Sequence, residues 1–134
     1  MAEDDPDDCF MIETAFKESG IAGSIRFVMD GEELMNYLRH VGEDRYSTEF
    51  PMPTLLLLDI NMPRKDGRVA LAEIRKDPSL KDLTVVVVTT SNAQSDKKYC
   101  ERLDVFEYIN KPTSLEELTQ LMDIVRKLCA DETL

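Results

Sequence analysis

Four consecutive leucines, residues 55–58, run without a polar break from Thr54 to Asp59. A strand with one wet face would alternate apolar and polar residues, so an unbroken apolar run bounded by turn formers predicts a strand buried on both faces. Residues 84–88, Thr-Val-Val-Val-Val, repeat the pattern and predict a second such strand. Between them the period lengthens: Ala70, Leu71 and Ile74 share a helical face that opens after Asp66-Gly67 and stops at Asp77-Pro78. Upstream, Pro6 suits a first helical position, and Cys9, Ile12 and Phe16 mark a helix closed by Ser19-Gly20. Residues 25–29 read as a short strand, Asp30-Gly31 as a turn, and Leu34, Tyr37, Leu38 and Val41 as a second helix. Residues 42–53 are polar, end in Pro-Met-Pro, and predict a long loop. Downstream come a weakly periodic helix over 92–103, a strand over 105–109, and a capping box, Ser114 to Glu117, opening a helix on Leu118, Leu121, Met122, Val125 and Leu128.

Strands alternating with helices, two of them without a polar face, imply an α/β fold: a parallel sheet covered on both sides. Such sheets gather ligands at the carboxyl ends of their strands. Those ends bear Asp59, then Thr89-Thr90, then Lys111-Pro112, with Glu3-Asp4-Asp5 ahead of the first helix. Taken alone, Asp59 reads equally well as a solvated strand end or as a functional carboxylate. Asp7 and Asp8 suit a helix N-terminus through the dipole. Tyr108 reads equally well as a packing aromatic.

Carboxylates that converge must take up protons or hold a cation. Oxygen-only ligands select Mg²⁺, Mn²⁺ or Ca²⁺, and a few carboxylates that leave room for water and a phosphate are typical of Mg²⁺. An aspartate beside that ion can attack a phosphoryl group, with a lysine and a threonine hydroxyl neutralising its oxygens.

Charge narrows the partners. With 27 acidic and 16 basic residues the chain has a formal charge of −11, which repels nucleic acid and anionic membrane surfaces. No apolar run reaches the ~20 residues of a membrane span, and the acidic start is unlike a signal peptide. The three cysteines, Cys9, Cys100 and Cys129, lie far apart and predict reduced thiols in a cytoplasmic protein. His40, the single histidine, excludes a two-histidine metal site.

The acidic pair, Asp59-Ile-Asn61-Met-Pro63, Asp66-Gly67, Thr89 after an apolar strand, and Tyr108-Ile-Asn-Lys111-Pro112 occur in an order and spacing that resemble the receiver domain of two-component response regulators. The resemblance runs nearly end to end, so residues 1–134 are expected to form a single receiver domain without an output domain. It implies a flavodoxin-like, doubly wound five-stranded sheet in the order 2-1-3-4-5. It implies Asp59 as phosphoacceptor, Glu3, Asp4, Asp59 and Asn61 (through its carbonyl) as Mg²⁺ or Mn²⁺ ligands, and Asp5 as cap of the first helix. Thr89 and Tyr108 become switch residues, and Lys111 a phosphoryl-contacting lysine before a cis peptide to Pro112. Asn61 and Ser91 stand where the family tunes loss of the phosphoryl group. The implied partners are a sensor histidine kinase and a downstream protein or phosphotransfer protein, with a homodimer through the fourth helix, last strand and fifth helix. The long loop and the Pro-Arg-Lys-Asp-Gly-Arg stretch further resemble single-domain regulators paired with bacterial phytochromes.

One departure stands out. Receivers begin with a buried strand, yet only Met1-Ala2 precede Glu3, so the first strand is expected to be largely absent and Met1 to be an interior residue of it. Two other functions fit parts of the pattern. A receiver-fold interaction module that is never phosphorylated fits the missing strand. An aspartyl-nucleophile phosphohydrolase fits Asp59, but Asn61 holds the place of its general acid and cannot donate and recover a proton.

Overall fold

The computed structural model describes residues 1–43 and 51–130. Eight elements follow one another: α1 (Pro6–Glu18), α2 (Gly31–Glu43), β1 (Leu55–Leu58), α3 (Gly67–Lys76), β2 (Thr84–Thr89), α4 (Gln94–Arg102), β3 (Glu107–Asn110) and α5 (Leu115–Ala130). The strands form a parallel sheet in the order β1-β2-β3, with Leu55 opposite Thr84 and Val86 opposite Glu107. The expected loop over 42–53 lies mostly outside the described residues.

The two apolar runs do what their lack of alternation requires. Leu56 and Leu58 of β1 and Val85 and Val87 of β2 face one core with Leu34, Met35 and Leu38 of α2, Ala70, Leu71 and Ile74 of α3, and Cys100 of α4. Leu57, Val86 and Val88 point the other way, against Ile12 of α1 and Leu121, Met122 and Val125 of α5. Helices therefore cover both faces; none of the three cysteines is joined in a disulfide, and Cys100 is buried, its thiol pushed up to about 11 by that burial.

Among the described residues the expected five-stranded sheet shows three strands. Two isolated parallel bridges extend it, Ala2 with Leu58 and Ala2 with Val28, giving the lateral order Val28, Ala2, β1, β2, β3. This is the expected 2-1-3-4-5 arrangement in outline. The strand expected at 25–29 is seen as a single bridge at Val28, paired with residues 1–3: Val28 N–H donates to Met1 O and Glu3 N–H to Val28 O, at 2.9 Å each. Ala2 is bonded on its other side to Leu57 O and Asp59 N–H, and is fully buried. The last strand begins two residues later than the apolar run suggests: Phe106 N–H already bonds Val85 O, but its side chain is 55% exposed on this edge.

Caps set the helix ends. Asp5 accepts from the Asp7 and Asp8 amides and opens α1 as expected, and Asp66 accepts from Arg68 N–H to open α3. Half of the capping box forms at α5: Glu117 N–H donates to Ser114 Oγ, while the Glu117 carboxylate turns to the Thr113 amide.

Arg75 at the end of α3 was not foreseen. Its guanidinium donates to the carbonyls of Leu103 (2.6 Å), Lys81 (2.9 Å), Leu83 (2.7 Å) and Asp104 (3.1 Å), tying the loops before β2 and β3 together. Asp104 is held there at φ 56. Arg75→Ala leaves these acceptors without a donor and is expected to cost about 2 kcal/mol. Arg75→Lys, whose single ammonium cannot span both loops, should recover less than half. Urea unfolding that reads equal midpoints for wild type and Arg75→Ala would contradict this.

Candidate functional site

The carboxyl ends of β1, β2 and β3 bring the predicted residues together. Asp59 follows β1 and is 2% exposed. Its Oδ1 accepts from the Thr89 hydroxyl at the end of β2 and from the Asn61 amide N–H, both at 2.9 Å. Its Oδ2 lies 3.1 Å from Lys111 Nζ. Lys111 is placed by its own backbone, whose N–H donates to Thr89 O as the chain leaves β3.

Glu3 enters from the other side, because Ala2 is pinned between Val28 and Leu58. It is fully buried, and its Oε2 accepts from Asp5 N–H at 3.1 Å. Lys111 Nζ sits 2.9 Å from Glu3 Oε1 and 2.9 Å from Asp8 Oδ2. One ammonium thus faces three carboxylates. Burial pushes the Glu3 carboxyl up to about 7, against the lowering effect of the Lys111 and Asp5 hydrogen bonds. Burial by itself would lower the Lys111 ammonium, but its hydrogen bonds to Asp8, Glu3 and Asp59 prevail and hold it above the usual lysine range.

Glu3, Asp4 and Asp59 each offer a carboxylate oxygen within 4.8 Å of the others. Glu3 Oε1 is buried and accepts no hydrogen bond in good geometry. A hard, all-oxygen cluster whose buried Glu3 Oε1 has an ion pair with Lys111 but no hydrogen bond fits a divalent cation of the Mg²⁺ or Mn²⁺ type.

Around this centre Tyr108 donates from its hydroxyl to Ser91 O at 3.1 Å, and Ser91 N–H donates to Thr89 Oγ1 at 3.3 Å. The expectation of a cis bond before Pro112 fails: no cis peptide occurs among the described residues, and trans is the isomer an X-Pro bond ordinarily favours, by about 0.5–1 kcal/mol.

These observations meet in an independent comparison. A family model described as the response regulator receiver domain matches residues 1–123. The chain belongs to that family. Response regulator Rcp1 of Synechocystis sp. is 37% identical over 122 residues, 91% of this chain and 81% of that protein. The crystal structure of the Mn²⁺-bound form of Rcp1 superposes with a TM-score of 0.78 at 36% identity, covering 95% of this chain and 87% of its own. That of the phosphorylated cyanobacterial phytochrome response regulator RcpA gives 0.76 at 40% identity, covering 95% and 86%. Receiver domains are signalling phosphoacceptors and not enzymes, which sets aside the phosphohydrolase reading. Among the described residues no helix is long and apolar enough to cross a membrane.

Two residues of this receiver's site were not singled out beforehand. Asp8 reads locally as a helix-dipole acid, yet it pairs with Lys111, 103 positions away. Arg68, part of the Pro-Arg-Lys-Asp-Gly-Arg stretch, forks onto Asp96 of α4. That fork, with the Ser91 hydroxyl, holds the Asp96 carboxyl down at about 2.

Gly67 shows how tightly the receiver's loop is packed. A Cβ at Gly67 would fall 2.5 Å from Ile60 Cα and 2.6 Å from Asp59 O, both backbone atoms beside the acidic centre. Gly67→Ala is therefore expected to destabilise the fold by about 2–3 kcal/mol and to displace Asp59. Urea unfolding checks the first effect, and wild-type stability in the variant would count against it.

Proposed function

We propose that this receiver is a phosphorylatable switch in which Asp59 accepts a phosphoryl group from a sensor histidine kinase of the phytochrome type. The observation that carries the reading is the double hold on Asp59: Thr89 and Asn61 donate to one oxygen, and Lys111 faces the other. An Asp59 oxygen forms the new bond to phosphorus as the bond from phosphorus to the donor breaks, its electron pair leaving with the donor. Lys111 neutralises charge on the transferring group, and the Thr89 hydroxyl donates to one of its oxygens. Glu3, Asp4, Asp59 and the Asn61 carbonyl would hold Mg²⁺, which supplies further neutralisation of the phosphoryl oxygens. The relatives support this: Rcp1 is described in an Mn²⁺-bound form and RcpA in a phosphorylated one.

The charge added at Asp59 then biases the surrounding network. Thr89 follows the phosphoryl group, the loop holding Ser91 moves with it, and Tyr108 loses its present acceptor and repacks. The signal leaves through α4, β3 and α5, where Phe106 and Leu115 are 55% and 79% exposed. A downstream protein, a phosphotransfer protein or a second copy of the chain is the occupant of that face.

The test is intact mass after incubation with acetyl phosphate, with Mg²⁺ or with a chelator. A Mg²⁺-dependent gain of a single phosphoryl group, released by hydroxylamine as an acyl phosphate is, supports the switch. No gain in a folded protein at saturating Mg²⁺ would refute it.

A further inference from the structure

Asn61 lies at the exposed rim beside Asp59, and its amide could face either way on shape alone. Its two ends differ chemically: the oxygen only accepts and the NH₂ only donates. Arg68 breaks the symmetry. A guanidinium has no acceptor, so the end of Asn61 that meets it must be the oxygen. Arg68 Nη2 lies 3.3 Å from Asn61 Oδ1, and the Asn61 NH₂ consequently points back to Thr89 Oγ1 at 3.4 Å, toward the carboxylate that Thr89 holds.

The guanidinium is itself fixed. Its Nε and Nη2 form a fork to Asp96 at 2.7 and 2.6 Å, and Nη1 donates to Asp66 Oδ2 at 2.9 Å and reaches Ile60 O at 3.4 Å. Asp66 is the cap of α3 and Asp96 lies in the first turn of α4, so two helix starts hold one cation in place. Asp96 also accepts from the Ser91 hydroxyl, which orients it toward Arg68. With a further bond from Nη1 to Asp66 Oδ1 at 3.2 Å, five polar contacts fix this planar group, and the sixth is to Asn61.

We propose that Arg68 is a positioning residue: by holding Asn61 Oδ1 it aims the Asn61 NH₂ donors at the phosphoryl oxygens during transfer to and from Asp59. This rests on the reading of Asp59 as phosphoacceptor. The phosphoryl group passes through a similar flattened, charge-spread transition state whether it arrives from a donor or departs to water. A donor aimed at its oxygens speeds both directions, and a donor turned away speeds neither. In the gain step the bond to the donor's leaving oxygen breaks as the bond to the Asp59 oxygen forms. In the loss step water forms the new bond to phosphorus, the Asp59 oxygen leaves as carboxylate, and the proton from water goes to solvent.

The experiment is a double-mutant cycle on acetyl phosphate labelling and on decay of the label, both followed by intact mass with Mg²⁺. The variants are Arg68→Met, Asn61→Ala, the double variant and Arg68→Lys, with Asp59→Asn as blank. Arg68→Met is expected to slow gain and decay alike by about threefold to tenfold, the range for one misdirected hydrogen bond. In the Asn61→Ala background the same change should have no further effect, because there is no amide left to orient. Arg68→Lys keeps a donor-only cation without the fork and should fall between; it also serves as the test pair should Arg68→Met not fold. Equal slowing in both backgrounds would overturn the inference by showing that Arg68 acts through α4 and not through Asn61. No slowing at all would overturn it too. A wild-type protein that takes no label would instead refute the phosphoacceptor reading on which it stands.

Discussion

Asp59→Asn is expected to abolish the hydroxylamine-labile phosphoryl gain outright while leaving the protein folded. The amide oxygen can still accept from the Thr89 hydroxyl and the Asn61 N–H, which now reach Oδ1 at 2.9 Å. On the other side the new NH₂ faces Lys111, a donor against a donor, but the ammonium keeps Glu3 and Asp8 as partners at 2.9 Å. One negative charge is also removed from a crowd of carboxylates, which relieves repulsion. These effects oppose each other, so stability without divalent cation should stay within about 1 kcal/mol of wild type. Cation affinity should fall, because only Glu3 and Asp4 of the three convergent carboxylates remain. Thermal unfolding, a Mg²⁺ titration and intact mass check the three parts. Persistent labelling of the variant at the wild-type rate would place the acceptor on another carboxylate.

The acidic centre was legible because each of its parts has a local signature. An apolar run fixes a buried strand, a turn fixes its end, and the first polar residue after it must stand at the rim. Asp59 and Thr89 were found in that way and Lys111 one residue further along, ahead of Pro112, and they converge. What was illegible depends on residues far apart in the chain. Lys111 with Asp8, Arg68 with Asp96, and Arg75 with Leu103 are separated by 103, 28 and 28 positions, and no periodicity records such pairs. Each of these side chains also has an adequate local explanation: a helix-dipole acid, a surface arginine, a basic last turn. The strand at 25–29 failed for a related reason. Its composition suits a strand, but its bridge is at Val28 with Ala2, a pairing between distant parts of the chain that composition does not record. The late start of β3 is likewise unrecorded, since Val105 and Phe106 are apolar yet precede the strand, Phe106 reaching β2 only through its amide bond to Val85 O.

Lys111→Met should show how far one cation supports this cluster. Glu3 is fully buried and Asp59 nearly so, and removing the ammonium leaves both without a positive partner. Breaking a buried ion pair from one side costs about 3–5 kcal/mol, less whatever the survivors recover by binding protons. Glu3 is the group that will recover most, because its carboxyl already stands at about 7 with Lys111 in place and must rise further without it. A carboxyl raised in the folded state stabilises the fold at pH values below its unfolded value, and this contribution is lost as pH rises through the folded value. The deficit of Lys111→Met should therefore be small near pH 5 and grow to about 3 kcal/mol by pH 8. Divalent cation should reverse it, stabilising the variant more than the wild type, since positive charge at the same carboxylates is then supplied from solution. Phosphoryl gain should not recover with it. Under the proposed function Lys111 contacts the transferring phosphoryl group itself, and loss of one such contact would slow transfer by about a hundredfold. Unfolding curves at the two pH values, each with and without Mg²⁺, and labelling rates at saturating Mg²⁺ separate these effects. A variant as stable as wild type at pH 8 without cation would mean that the buried carboxylates do not depend on Lys111 for their place in the fold. A variant labelled at the wild-type rate would mean that the cation alone neutralises the phosphoryl group.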